Sequence, residues 1–290
     1  MPLSIKPHTS YLDKSFKESH TRSYVMAMQF DLHGLAFIIF NPEKNKILGL
    51  QAYSFDEEKA ISEIPVFFDL ILSNQGWFAY PFKDFYFLMQ NTFSTLIPAP
   101  LFDKNNKNLY LGFNQPFQED HRIVFDSLHS TESYNIYYLP NSVAEKIKSF
   151  WPNAKIVHYS TALIESLWAG YKNKLNPNHF FVDIHEDNFD LAYFKENKLF
   201  YHNNFSYRTK EDFIYFLLSA AEQLQLNPET LHLVMMGKID KSNPKYEMIY
   251  RYIRSHEFIP KNDSFQYSYL LDDVMHHQYY TLYNVLQCEL

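Results

Sequence analysis

The hydrophobic positions of the chain alternate with period two and then with the three-to-four spacing of a helix, and they do so twice. Residues 24 to 55, YVMAMQFDLHGLAFIIFNPEKNKILGLQAYSF, read as three strands separated by a short polar loop and by a turn carrying Asn45 and Lys46. Residues 179 to 207, HFFVDIHEDNFDLAYFKENKLFYHNNFSY, follow the same plan, with Asn197 and Lys198 in the turn. The stretches that come next, 56 to 74 and 209 to 226, carry helical apolar spacing behind acid-rich starts, with Asp56 and Thr209 as the expected N-caps. Each helix then leads to an apolar strand, FYFLMQ at 85 to 90 and LHLVMM at 231 to 236.

Phe40 aligns with Phe194 at a spacing of 154. After a turn two residues shorter in the second copy, Asn45-Lys46 aligns with Asn197-Lys198 and Ser54-Phe55 with Ser206-Tyr207, at a spacing of 152. The ordered set predicts an internal duplication: two β-β-β-α-β units within one chain. Between them, 101 to 114 is expected to start a helix, RIVFDSL and YNIYYLP to be strands, 141 to 151 to be a capped helix, and AKIVHYSTALIESLWAGYK to run from strand to helix at Ser160 or Thr161. Turn formers cluster in NKLNPNH, 173 to 179, which sets the expected division into an N-terminal lobe, 1 to 175, and a C-terminal lobe, 176 to 290. A loop and helix are expected at 237 to 258, and a closing helix at 276 to 290, placed to pack back on the first lobe.

Composition narrows the functional classes. A chain of 290 residues that is 46% hydrophobic and 20% charged is globular, and its 27 Phe and 23 Tyr are expected mainly in the core. Net charge is -7 with the basic residues scattered, which gives no footprint for a nucleic-acid backbone. The N-terminal stretch lacks the apolar core of a signal peptide and no run approaches a membrane span, so a cytoplasmic protein without membrane insertion is expected. The single cysteine, Cys288, excludes an intramolecular disulfide and reads as a buried structural thiol.

Two lobes that each open with three antiparallel strands and continue with alternating helix and strand resemble the actin-like ATPase fold of actin, sugar kinases, heat-shock chaperones and pilus-assembly ATPase-like proteins. The segments TFSTLIPAPLFD and HHQYYTLYNVLQCEL, with the overall layout, resemble more closely a family of uncharacterised Bacteroidetes proteins labelled domain of unknown function 3822. The resemblance covers nearly the whole chain and implies an α/β, ribonuclease-H-like, actin-like fold with a mixed sheet in each lobe. It brings no established activity.

In active members of that class the first hairpin loop of each lobe carries an Asp and, two positions on, a small residue such as Gly, so that backbone N–H groups can approach the phosphates. In the first copy Gln29 stands at the Asp position and Asp31 near the Gly position, while Gly34 comes later and is read as relaxing the turn. In the second copy Asp183 matches the Asp, but His185 replaces the Gly and Glu186, Asp187 and Asp190 follow. Like charges a few ångströms apart cost about 1 kcal/mol in water and several times that in a closed cleft, so this loop is a poor cradle for a polyphosphate. Gly237 stands alone where active relatives show a glycine pair, and reads as an ordinary strand-to-helix turn. If a nucleotide binds, Asp183, His185, Asp187 and Gly237 are the residues expected to hold it, with ATP and Mg²⁺ as the cofactors; otherwise none is expected.

Alternation along an extended segment would send Asp183, His185 and Asp187 to one side, a start for a metal site, yet the spacing matches no established one and none is assigned. Nuclease chemistry is disfavoured because Asp31, Asp183 and Asp190 would come from separate lobes or opposite strand faces. His121, His129 and His158 are dispersed, the adjacent His276 and His277 would point in divergent directions on a helix, and no residue is assigned a catalytic role. Leu96, Ile97, Leu101 and Phe102 around Pro98 and Pro100 are expected to be buried. The expected function is a non-catalytic binding or assembly scaffold, meeting a protein partner or a second copy, with a divergent Mg²⁺-dependent ATPase or phosphotransferase as the alternative.

Overall fold

The computed structural model describes residues 6–55, 61–173 and 179–288, and divides into two units. The first comprises Met1–Glu165, Asp263–Val274 and Thr281–Leu290, and the second Ser166–Asn262 and Met275–Tyr280. The expected N-cap at Asp56 and most of the turn at 173 to 179 lie outside the described residues.

In the first unit, β1 (Thr9–Leu12), β2 (Val25–Asp31), β3 (Gly34–Asn41) and β4 (Lys46–Ser54) are followed by α1 (Ile64–Asn74) and β5 (Asp84–Met89). An insert then supplies β6 (Ser94–Pro98), α2 (Lys107–Asn114), β7 (His121–Leu128) and β8 (Ser133–Pro140), before α3 (Asn141–Phe150) and β9 (Lys155–His158). The main sheet runs β1-β4-β3-β2-β5-β9, and the insert forms its own antiparallel sheet, β6-β8-β7. Strands β2, β3 and β4 are antiparallel neighbours, while β5 joins β2 in parallel and β9 joins β5 in parallel. The near-continuous burial of β3 and β4 reflects a sheet covered on both faces. Phe30, Phe37, Phe68, Phe78 and Phe87 are all within 1% of full burial.

Helix α4 (Tyr159–Tyr171) contains the division between Glu165 and Ser166. The second unit holds β10 (His179–Ile184), β11 (Asn188–Lys195), β12 (Lys198–Ser206), α5 (Lys210–Gln223), β13 (His232–Gly237), α6 (Pro244–Tyr252) and β14 (Ser255–Phe258). Its sheet runs β12-β11-β10-β13-β14, again with three antiparallel strands followed by two parallel ones. Thr209 caps α5 as expected, in a capping box: its hydroxyl accepts from the Asp212 amide, and Asp212 accepts from the Thr209 amide.

The two hairpins share a register. Adding 154 to the facing pair Gln29 and Ala36 gives the facing pair Asp183 and Asp190. Both third strands also carry a bulge at the same place, where the ladder shifts between Ile39 and Phe40 and between Tyr193 and Phe194. The turns that follow place Asn45 and Asn197 at φ 47° and 62°, a left-handed conformation that asparagine tolerates.

The chain's last described segments differ from the reading as one closing helix. A two-residue strand, β15 (Gln266–Tyr267), joins β4 in parallel. Residues 276 to 287 form two 3₁₀ turns around the five-residue α7 (Tyr280–Asn284). Cys288 is half-buried, with its Sγ 3.5 Å from the Asn284 carbonyl. Helix α3 starts without a side-chain cap, because its N-cap residue is Pro140; Asn141 is the first helical residue, and its Oδ1 accepts from Arg122 Nε at 3.0 Å. Leu101, expected inside, is 69% exposed, since the insert's small core is built on Leu111, Ile136 and Tyr138.

Candidate functional site

The β10–β11 hairpin closes on itself. The His185 amide donates to the Asn188 carbonyl at 2.9 Å, and only Glu186 and Asp187 lie between them. Val182, Ile184, Phe189 and Leu191 enter the core under α5, so strand alternation puts Asp183 and Asp190 together on the other face. They share one face rather than the opposite faces expected from the sequence. Asp183 is 2% exposed and Asp190 5%.

Asp190 is the anchor of this face. Its Oδ2 is 3.1 Å from His185 Nε2 and accepts from Asn204 Nδ2 at 3.1 Å, while its Oδ1 is 3.0 Å from His202 Nε2. Burial alone would push this carboxyl up; the bonds and charges of the two imidazoles outweigh it and hold the group well below the usual carboxylate range. His185, at the position where a phosphate loop needs a small residue, is thus folded inward and 4% exposed. The loop's carbonyls are committed as well: the Tyr207 hydroxyl oxygen lies 2.6 Å from the His185 carbonyl and 2.8 Å from the Glu186 carbonyl, both within its reach as a donor. Lys245 Nζ in turn donates to that hydroxyl at 2.8 Å. Burial, then the Glu186 and Asp187 carboxylates, push the Tyr207 hydroxyl up, which keeps it a donor.

Of the four residues expected around a nucleotide, the structure brings three together and leaves one out. Gly237, at the end of β13, has φ 85°, and a Cβ there would lie 2.2 Å from the Ile184 carbonyl oxygen and 2.5 Å from Asp183 Oδ1. The glycine is therefore required by the close approach of β13 to β10. Asp187 does not join Asp183 and His185, because the two-residue turn interrupts the alternation and leaves it exposed, with its Oδ1 accepting from Asn188 Nδ2 at 2.7 Å. Among the described residues no group of three or more His, Cys, Asp or Glu side chains is arranged to hold a metal ion.

The first unit's hairpin is built differently. Gln29 Nε2 donates to Gln90 Oε1 at 3.1 Å, and Asp31 Oδ1 accepts from the His33 amide at 2.8 Å. Gly34 does not relax the turn by its conformation; it supplies space, since a Cβ there would sit 2.2 Å from the Tyr53 carbonyl oxygen.

Beyond Gly237, residues 240 to 242 with Phe258, Met275 and His277 line a cavity of about 430 Å³. His277 Nε2 is 2.7 Å from the Ile239 carbonyl, and burial pushes its pKa down. In the first unit, His158, read from sequence as one of several dispersed histidines, is the hub of a buried polar network. Its Nδ1 is 2.7 Å from Ser160 Oγ, and its amide donates to Asp126 Oδ2 at 2.8 Å. Asp126 also accepts from Thr161 Oγ1 at 2.9 Å and Tyr137 OH at 3.2 Å, and burial pushes its carboxyl up to about 6 against those bonds. Its partners Tyr137, His158 and Thr161 are 11, 32 and 35 residues away in sequence, so no local motif announces it.

Two β-β-β-α-β units with this strand order define an actin-like ATPase fold. A Bacteroides thetaiotaomicron protein with actin-like ATPase fold and unknown function superposes with a TM-score of 0.75 at 19% identity, over 84% of this chain and 93% of that one. The structure described as the PilM-PilN type IV pilus biogenesis complex matches with a TM-score of 0.62 at 11% identity, over 92% of this chain and 98% of that one. At such identities the likeness is one of fold. The chain belongs to the family described as "Protein of unknown function (DUF3822)", whose profile matches residues 13–255. No curated protein matches it.

Proposed function

We propose that this protein is a non-catalytic binding or assembly scaffold, a cytoplasmic member of the actin-like class whose phosphate loops no longer take a nucleotide. The observation that carries the reading is the inward-folded His185. A phosphate needs bare amides at that position, and here an imidazole locked to Asp190 and carbonyls shared by Tyr207 fill the loop, with Glu186 and Asp187 on its exposed rim. Support for a binding role comes from large apolar side chains presented to solvent by the insert: Phe113 is 92% exposed, Phe117 82% and Leu109 70%. Among the described residues, no helix is long and apolar enough to cross a membrane.

Melting the protein with saturating Mg-ATP, Mg-ADP and Mg-GTP tests this. A ligand at one hundred times its Kd stabilises by about 2.7 kcal/mol, or several degrees for a protein of this size. The scaffold reading expects no shift, and a reproducible rise of that size with any of the three contradicts it.

A further inference from the structure

The two sheets treat the outer edge of their third strand differently. Strand β4 is covered: β1 runs antiparallel along it, pairing Thr9 with Ala52 and Leu12 with Gly49. The amides of His8 and Asp13 donate to the Ala52 and Leu48 carbonyls at 2.9 and 2.7 Å. Farther along, β15 pairs Gln266 with Lys46. Adding 152 carries Lys46, Leu48 and Ala52 onto Lys198, Phe200 and Asn204 of β12. The ladders agree, because Leu48 and Phe200 are each the extra residue of the shared bulge.

Among the described residues, β11 is the only strand paired with β12, which leaves a nine-residue edge open. The Tyr207 amide bonds inward to the Asp187 carbonyl, so alternation turns the main-chain groups of His202, Asn204 and Ser206 outward, where the Asn204 amide donates to Asn203 Oδ1 at 3.0 Å. Such an edge is ordinarily blunted by proline, by charge or by a covering segment. Strand β12 has no proline and no acid, and its one lysine is at its first residue. At the bulge, Leu48 is 1% exposed and its counterpart Phe200 is 60% exposed.

We propose that β12 is a docking strand that takes an extended segment of a partner protein, added antiparallel, in which small hydroxyl, aromatic and aliphatic residues are followed by an acid. The chemistry is read from what covers β4. Gln51 Nε2 donates to Ser10 Oγ at 3.0 Å, and the counterpart of Gln51 is Asn203, an exposed amide. Lys46 Nζ holds Asp13 at 2.8 Å, and the counterpart of Lys46 is the exposed Lys198. Tyr201 stands where Gly49 lets β1 cross closely, so the added strand stays in the plane of the sheet. A partner segment suits the edge better than a second copy. One strand edge falls short of the roughly 800 Å² per partner of a stable dimer, whereas peptide addition draws its affinity from the main chain. The inference rests on the scaffold reading for the need of a partner.

The test uses the full chain and a synthetic peptide of residues 7 to 14, PHTSYLDK, which finds β4 already occupied. Amide hydrogen exchange is expected to slow at least tenfold at His202 and Ser206 with saturating peptide. Lys198→Glu is expected to weaken the peptide at least threefold and Phe200→Pro to abolish it, each with melting temperature kept. No protection at millimolar peptide, unchanged affinity in Lys198→Glu, or protection that instead grows with protein concentration alone would each overturn the proposal. Nucleotide binding is read separately by melting, so either reading can fail without the other.

Discussion

Replacing His185 by alanine probes the lock that closes the second hairpin. Asp190 is buried and takes hydrogen bonds from His185, His202 and Asn204, so the substitution removes one of three donors from an ionised group. A hydrogen bond to a buried charge contributes about 1.5–3 kcal/mol, and the space left by the imidazole adds to the loss, giving about 2–4 kcal/mol in total. The pH dependence has a definite sign. A carboxyl whose folded pKa is depressed contributes stability above its unfolded value, about 3.9, and loses it as pH falls through the folded value. The His185→Ala defect is therefore largest at neutral pH and shrinks below about pH 4. Urea unfolding at pH 7 and at pH 3, followed by circular dichroism, measures both. His185→Gln, which keeps a donor, recovers most of the loss, and Asp190→Ala, which strips both imidazoles of their partner, costs more, about 3–5 kcal/mol. A His185→Ala loss below about 0.5 kcal/mol at pH 7 would show that the imidazole is not held as described and would refute the reasoning.

Two further perturbations follow from the same geometry. Gly237→Ala places a Cβ against the Ile184 carbonyl at a φ of 85° and is expected to destabilise by about 2–4 kcal/mol in thermal or urea unfolding; a neutral result would remove the structural role of this glycine. Asp126 has its folded pKa raised to about 6, so the stability it contributes is present below its unfolded value and falls as pH rises from about 4 to about 6. Asp126→Asn keeps the acceptor for His158 and Thr161 while the Tyr137 hydroxyl turns round, and is expected to raise the melting temperature above pH 6 but not near pH 4, the difference approaching 3 kcal/mol at about 1.4 per unit; equal effects at both pH values would contradict the assignment.

How far the sequence carried can be traced to particular elements. Strands β2 to β4 and β10 to β12 were legible because each alternates or runs apolar for six to nine residues between turn formers, and Thr209 announced its helix because an acid stands three positions on. Strands β1, β14 and β15 were not, since TSYL, SHEF and QY are too short to show a period and are recruited by the edge they meet. The closing segment has helical apolar spacing but breaks into short turns. At the candidate site, the substitution of histidine for a small residue was readable at position 185. Its partners were not, because Asp190, itself bonded to His202, is brought to it by the strand register and Tyr207 by the chain's return after β12. Asp187 was misplaced for a related reason: alternation was extended through a residue that forms the turn.

Calorimetric titration of the purified protein with Mg-ATP addresses the central claim most directly. A loop filled by His185 and rimmed by Glu186 and Asp187 predicts no saturable heat up to millimolar nucleotide, and none on repeating the titration with Mg-ADP. A one-site isotherm with a Kd below about 100 μM, weakened when Asp183 is replaced by asparagine, would contradict it.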